Sequence, residues 1–279
     1  MLQADQNNAE ETQSGVTAFG SDGFTLGTWI GSTKTNDSYV AWNWKAGGSA
    51  STNTSGSIDS SVLANTAARF SIASFTCPSG SGLYTVGHGL GAVPEFMIVK
   101  SRSATGNWHI YHKDVGNTKA YFLNNSTAGF TSTGYWGDTT PTSTVFTQSI
   151  GGTLDVGTTA IGYFFKSVAG YSLVGSYVGN GSEDGAYVNC GFSPAIIITK
   201  SLAATGWRTI DNKRTPYNPS KASIYPDSSG AENTGDGHET DFTSNGFKMR
   251  NSNSRLNTNG QTYFFIAFAE TPFKNSTAR

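Results

Sequence analysis

The chain has 279 residues, enough for two ordinary domains that could each bury a core. Its formal net charge of −1 leaves no electrostatic footprint for a nucleic-acid backbone or an anionic membrane surface, and no run approaches the roughly 18 apolar residues of a membrane span. Charged residues make up only 13% of the chain, against 34 glycines and 13% aromatics, so polarity rests on Ser, Thr, Asn and Gly, the mix of short strands joined by tight turns.

Residues 1–18 carry almost no apolar content beyond Leu2 and Val16 and read as an arm, ordered only if it docks. The first residues lack both a basic segment and an apolar segment, which argues against a secretory signal and for synthesis in a reducing cytoplasm. Cys77 and Cys190 then read as buried or idle thiols.

One aromatic, β-branched run occurs three times, at 38–45, 159–166 and 262–269. Each copy follows a Phe (Phe24, Phe146, Phe247) and turn residues (Thr35-Asn36-Asp37, Asp155-Val156-Gly157, Asn259-Gly260), a repeated hairpin signature. The first copy closes a β-hairpin half-module at 19–46, because nothing before it matches the longer stretch that precedes the other two. Residues 47–69, rich in Gly, Ser, Thr and Asn with only Ile58, Val62 and Leu63 to pack, read as a linker.

A longer repeat follows. Residues 93–106 lie over 193–206 at an offset of 100, with seven of 14 positions identical, and Trp108 matches Trp207 with a one-residue shift. A period this long suits tandem domains. They are placed at 70–170 and 171–273, each ending in the aromatic strand, with 274–279 as a fraying tail. Strands are expected near 70–76, 83–87, 95–101, 107–112, 119–123, 143–149 and 159–167, with counterparts in the second copy. The fold class is therefore all-β, two tandem antiparallel β-sandwich domains preceded by an arm and a half-module.

No chemistry stands out, and the expectation is that the chain is not an enzyme and needs no cofactor. A glycan hydrolase requires two fixed carboxylates, whereas Glu95 opens a strand and Glu183-Asp184 lies in a Gly-rich turn, neither with an identifiable partner. His88, His109, His112 and His238 are not preserved by the repeat, and His109 and His112, three apart in a strand, point to opposite faces. The loop 235–241 offers Asp236, Glu239 and Asp241 as calcium ligands, but its spacing departs from the calcium-loop pattern and a solvated loop is the favoured reading. Sugars stack on exposed aromatic faces, which makes Trp108, Trp207, Tyr135 and Trp136 the candidate glycan-binding residues. Core packing is favoured for Trp108 and Trp207, which follow Ala-Thr-Gly at a strand start; Trp136 stays open between the two roles.

Several motifs resemble one known family: Tyr39-Val-Ala-Trp-Asn-Trp-Lys-Ala-Gly-Gly48, Thr85-Val-Gly-His-Gly-Leu-Gly91, Gly175-Ser-Tyr-Val-Gly-Asn-Gly181, Ser244-Asn-Gly-Phe-Lys248 and Phe268-Ala-Glu-Thr-Pro-Phe-Lys274. From about Phe19 onward the chain resembles virion-associated proteins of tailed bacteriophages built from tandem concanavalin-A-like (laminin-G-like, jelly-roll) sandwich modules. The resemblance implies a virion structural protein, a tail fibre or spike-type adhesin that engages host-surface glycan. A capsid decoration or head-fibre protein without a specific ligand is the alternative, and a glycan depolymerase a weaker one. Implied partners are other virion proteins and further copies of the same chain, with no nucleic acid and no membrane insertion. Members of that family are often longer, so the half-module, with Phe24, Trp29, Tyr39, Trp42 and Trp44, is expected to be the attachment element. On that reading a fragment beginning at Phe70 folds but does not assemble.

Overall fold

The computed structural model describes residues 1–271, leaving aside the side chain of Ile30; the predicted tail 274–279 and the end of the second predicted domain lie outside the described residues. A short ribbon pairs β1 (Val16–Phe19) with β2 (Phe24–Leu26), and one helical turn, α1 (Ile30–Thr33), follows. The first half then runs through β3 (Ser51–Asn53), β4 (Ser60–Asn65), β5 (Phe70–Thr76), β6 (Gly82–Gly87), β7 (Phe96–Ser101), β8 (His109–His112), β9 (Lys119–Phe122), β10 (Phe130–Thr131), β11 (Val145–Ile150) and β12 (Thr159–Phe165). The second half comprises β13 (Ser172–Val178), β14 (Tyr187–Asn189), β15 (Pro194–Ser201), β16 (Arg208–Asp211), β17 (Ser223–Ile224), β18 (Thr240–Thr243), β19 (Gly246–Met249) and β20 (Thr262–Ala269). The protein is all-β and antiparallel, as the composition and turn spacing predict.

Each half is a sandwich of one large and one small sheet. In the first, β10-β9-β8-β7-β12-β5-β4-β3 faces the β11-β6 pair; in the second, β13-β20-β15-β16-β17 faces β14-β19-β18. The aromatic runs 159–166 and 262–269 supply β12 and β20, each hydrogen-bonded on both sides, by β5 and β7 and by β13 and β15. Their turns form as expected, since Gly157 and Gly260 sit at φ +71 and +74, where a side chain would be strained.

The two halves are not beads on a string. Alternation along the central strands explains this, because both faces of each are apolar. In β20, Tyr263, Phe265 and Ala267 face the second sandwich core with Phe247 and Met249, whereas Phe264, Ile266 and Phe268 face the other way. There they meet Phe96, Trp108, Ile110 and Tyr121 of the first half, so the two large sheets pack back to back over a third core. Met97, Val99 and Phe164 close the first sandwich over Phe146 and Trp136. Exposing the central core would strand six or more large side chains at about 1.5–3 kcal/mol each, so the halves are expected to depend on each other.

Two expectations about the N-terminal region change, and the arm takes the docked of its two expected states. The run 38–45 is not a strand. With β12 and β20 already paired on both sides, a third copy has no open ladder to join there. Its aromatics instead close the seam between the large sheets: Trp44 packs edge-on against Phe165 at 6.5 Å and Phe268 at 5.2 Å, with Trp42 half-buried beside the same core. Replacing Trp44 with Ala is expected to cost about 2 kcal/mol, roughly half the loss at a fully buried aromatic, read as a lower urea midpoint; an unchanged midpoint would show that the seam does not need it.

The stretch 47–69 is not a linker either, because β3 and β4 extend the large sheet from β5. Its strands read as linker since their polar residues are themselves buried partners: Ser60 is 3% exposed and its hydroxyl donates to the Gly87 carbonyl at 2.6 Å. The arm, finally, is docked. The Trp108 indole N–H donates to the carbonyls of Gln3 and Gln6 at 3.1 and 3.0 Å, the Gly106 N–H to Asn7 at 2.8 Å, and Arg102 pairs with Glu10 at 2.6 Å.

Candidate functional site

Burial removes the predicted stacking surface. Trp108, Trp136 and Trp207 are 6, 1 and 0% exposed. Trp207 donates its indole N–H to the Phe122 carbonyl at 2.8 Å, and Trp136 packs edge-on against Tyr111. Tyr135 is half-buried among His109, Phe122 and Phe130. Flat apolar side chains next to strand ends fold back over a core whenever one is within reach, which is what removes them from solvent here. The proposed calcium ligands are already neutralised: Lys221 pairs with Asp236 at 2.9 Å and Glu239 at 3.5 Å, and Arg250 with Asp241 at 3.4 Å. Among the described residues no cluster of three His, Cys, Asp or Glu is placed to hold a metal.

Of the predicted attachment residues, Phe24 and Tyr39 are exposed, Trp29 is half-buried, and Trp42 and Trp44 belong to the seam. The β1–β2 ribbon is exposed throughout, with Phe19 80% exposed. His109 and His112 do face opposite ways, one towards Tyr135 and the other towards Phe264 across the central core. Both cysteines are free, and burial pushes the Cys190 thiol up to about 12.

A site with unspent polar chemistry lies elsewhere, in a cleft of about 520 Å³ at the start of β16, bordered by Ser126 from the first half. Strand pairing builds it. Thr209 lies opposite Ile224, so Arg208 and Tyr225, one residue out on each strand, come side by side, and the guanidinium sits 4.3 Å from the Tyr225 ring centre. Two residues further on, Asp227 accepts the Trp207 N–H at 3.1 Å, which fixes its carboxylate at the rim. A Cβ on Gly206 would lie 2.6 Å from the Asp227 carboxylate and 3.1 Å from an Arg208 nitrogen, so both charged groups converge on this backbone.

Arg208 is 4% exposed, and one of its terminal nitrogens donates to the Trp207 carbonyl while its Nε has no partner. The Thr205 hydroxyl, in the same lining, is also buried and unpartnered. Among the described residues neither Arg208 nor Arg255 forms an ion pair. Lys200, buried beneath, donates to the carbonyls of Ala203 and Thr205. Burial, and then the neighbouring Arg255, lowers Arg208 to about 10, burial lowers Lys200 to about 8, and burial raises Asp227 above the usual carboxylate range. Next to Tyr225, His238 is held neutral at about 4 by burial first and by Arg208 and Arg255 after it. Two arginines and one carboxylate therefore line the cleft, with the buried Lys200 spent on backbone carbonyls.

The first half carries the same frame with different chemistry. His109 lies opposite Val99 as Arg208 lies opposite Thr199, and Asn124 accepts the Trp108 N–H at 3.0 Å as Asp227 accepts that of Trp207. Here the place is closed by Tyr135, whose ring lies 5.0 Å from His109. Sequence reasoning passed over Arg208, Tyr225 and Asp227 because none of them is preserved by the repeat. The signal was present: an Arg at a strand position that its neutral counterpart marks as buried.

The chain belongs to the family described as a domain of unknown function (DUF7483), whose model matches residues 1–272, spanning the arm, both halves and the seam. No curated protein and no solved structure gives a significant match.

Proposed function

We propose that this member of the family is a tailed-bacteriophage virion protein of the fibre or spike type, and that the cleft of its second half binds host-surface saccharide without cleaving it. The motifs that resemble virion sandwich modules support the setting. The observation that carries the binding is Arg208, a guanidinium held at a cleft with its Nε unpaired and in no ion pair, though the Asp227 carboxylate lies close by. Leaving a buried donor unpaired costs about 1–3 kcal/mol, which a ligand hydrogen bond restores. Hydrolysis of a glycosidic bond by the usual route requires two carboxylates, and Asp227 is the only acid in the lining.

On an array of host-surface polysaccharides the full chain is expected to bind, and in solution to compete with phage adsorption. The double substitution Arg208→His and Asp227→Asn, which recreates the pair His109 and Asn124 that the first half already folds around, is expected to lower binding at least about tenfold. A chain that binds no saccharide and leaves adsorption unchanged would overturn the reading. A capsid decoration role is the second reading, favoured by the exposed apolar ribbon of Val16, Phe19, Phe24 and Leu26, which could dock on a particle with no use of the cleft. A copy number that follows capsid geometry rather than tail symmetry would select it.

A further inference from the structure

We infer that the saccharide this cleft takes is acidic, with the carboxylate of a uronic-acid-type sugar seated on Arg208 and Arg255 and its ring hydroxyls on Asp227 and Asn233. The inference rests on the saccharide reading and adds the charge of the ligand. Four observations lead to it. Arg208 is nearly all buried with its Nε unpartnered, so the pocket holds a donor that only a ligand, or water, can satisfy. A buried cation without a counter-charge is expensive, and an anion is what makes it affordable.

The second observation is the charge balance. In the lining Arg208 and Arg255 outnumber Asp227, and His238 stays neutral close by, so the local field is positive although the chain carries a net −1. Third, the guanidinium carbon lies 4.3 Å from the Tyr225 ring centre, and a guanidinium placed over a ring offers a fork that a carboxylate matches with two parallel hydrogen bonds. Fourth, the rest of the lining suits hydroxyl groups rather than a bare ion: Asp227, Asn233, Ser126, Ser228 and Ser254 offer acceptors and donors around a cavity of about 520 Å³, larger than a lone carboxylate or sulfate needs. The equivalent place in the first half keeps a buried lysine, Lys100, but has His109 in place of Arg208 and Tyr135 packed on it, so the fold itself does not require the guanidinium.

The test uses the full chain in calorimetric titrations with a glucuronate-containing oligosaccharide, with the same oligosaccharide after its carboxylates are reduced to alcohols, and with sodium sulfate. Binding is expected to the acidic form, to weaken with added salt, and to fall about tenfold or more both on carboxyl reduction and in Arg255→Ala. Arg255 is exposed, so this variant is expected to melt with the wild type. Equal binding of the reduced and acidic forms would overturn the inference and leave the saccharide reading standing. Sulfate competing as well as the oligosaccharide would reduce the cleft to a simple anion site and overturn it too. Failure of any saccharide to bind here and on the array would remove both.

Discussion

Acidification from pH 7 to pH 4 is expected to remove most of the folding stability, well before carboxylates in general are protonated. All four histidines are buried, at 0, 4, 2 and 1% exposure for His88, His109, His112 and His238. Burial lowers them to about 4, 3, 4 and 4. Neighbouring charges do not rescue the protonated forms. His109 feels Lys100, and His238 feels Arg208 and Arg255 with Glu239 in partial compensation. His112 has Asp114 and Glu95 against Lys113, and His88 only the Thr142 carbonyl.

Because each folded value lies below the unfolded value near 6.5, the unfolded chain takes up protons first. Stability is therefore complete above about pH 6.5 and falls as the pH drops towards 4. Each histidine contributes about 1.4 kcal/mol per pH unit in that window, so four together approach about 5 kcal/mol per unit, comparable to a whole domain's stability within two units. Glu95 extends the loss downward. Its burial favours the neutral acid, but the Ser167 hydroxyl and amide, Lys113 and Lys166 outweigh this and hold it at about 2, so its stabilisation disappears between about pH 4.5 and 2. Urea midpoints at pH 7.5, 6 and 5 measure the effect, and a midpoint that stays level across these values would contradict it.

Truncation at Phe70 is the other large effect, and its expected direction is opposite to the one drawn from repeat boundaries alone. Such a fragment keeps both sandwich repeats yet loses β3 and β4, leaving β5 as a raw edge. It also loses Ile58 and Val62 from the first core, Trp42 and Trp44 from the seam, and Leu2 and Ala4 from the central core. The arm's carbonyls, which receive the Trp108 indole and the Lys100 ammonium, go with them. Two buried aliphatics alone carry about 3–6 kcal/mol, and the orphaned donors add to that. The fragment 70–279 is expected to aggregate or to remain without a cooperative melting transition, as read by light scattering and circular dichroism. A soluble monomer melting at the temperature of the full chain would show that the arm and the first two sheet strands are dispensable.

Much of the frame was legible in the residues. Expected strands at 70–76, 83–87, 95–101 and 119–123 coincide closely with β5, β6, β7 and β9, because alternation and Gly or Asn turns are properties of neighbouring residues and act within a few positions. The 100-residue repeat likewise matches the two sandwiches. Ser60 was misread since a buried serine that donates to a distant carbonyl looks, locally, like one in solvent. Arg208 was missed because its meaning depends on Tyr225 and Asp227, brought beside it by a strand pairing that no short window contains.

Local chemistry by itself therefore determined the all-β class, the turns and the doubling of the sandwich. Tertiary structure decided which apolar faces met: the large sheets back to back, the third aromatic run as a plug between them, and Trp136, left open by its loop, inside. The reason is that period and turn preference are set residue by residue. Burial, pairing partners and the charge left unanswered in the cleft depend on contacts between segments tens to hundreds of residues apart.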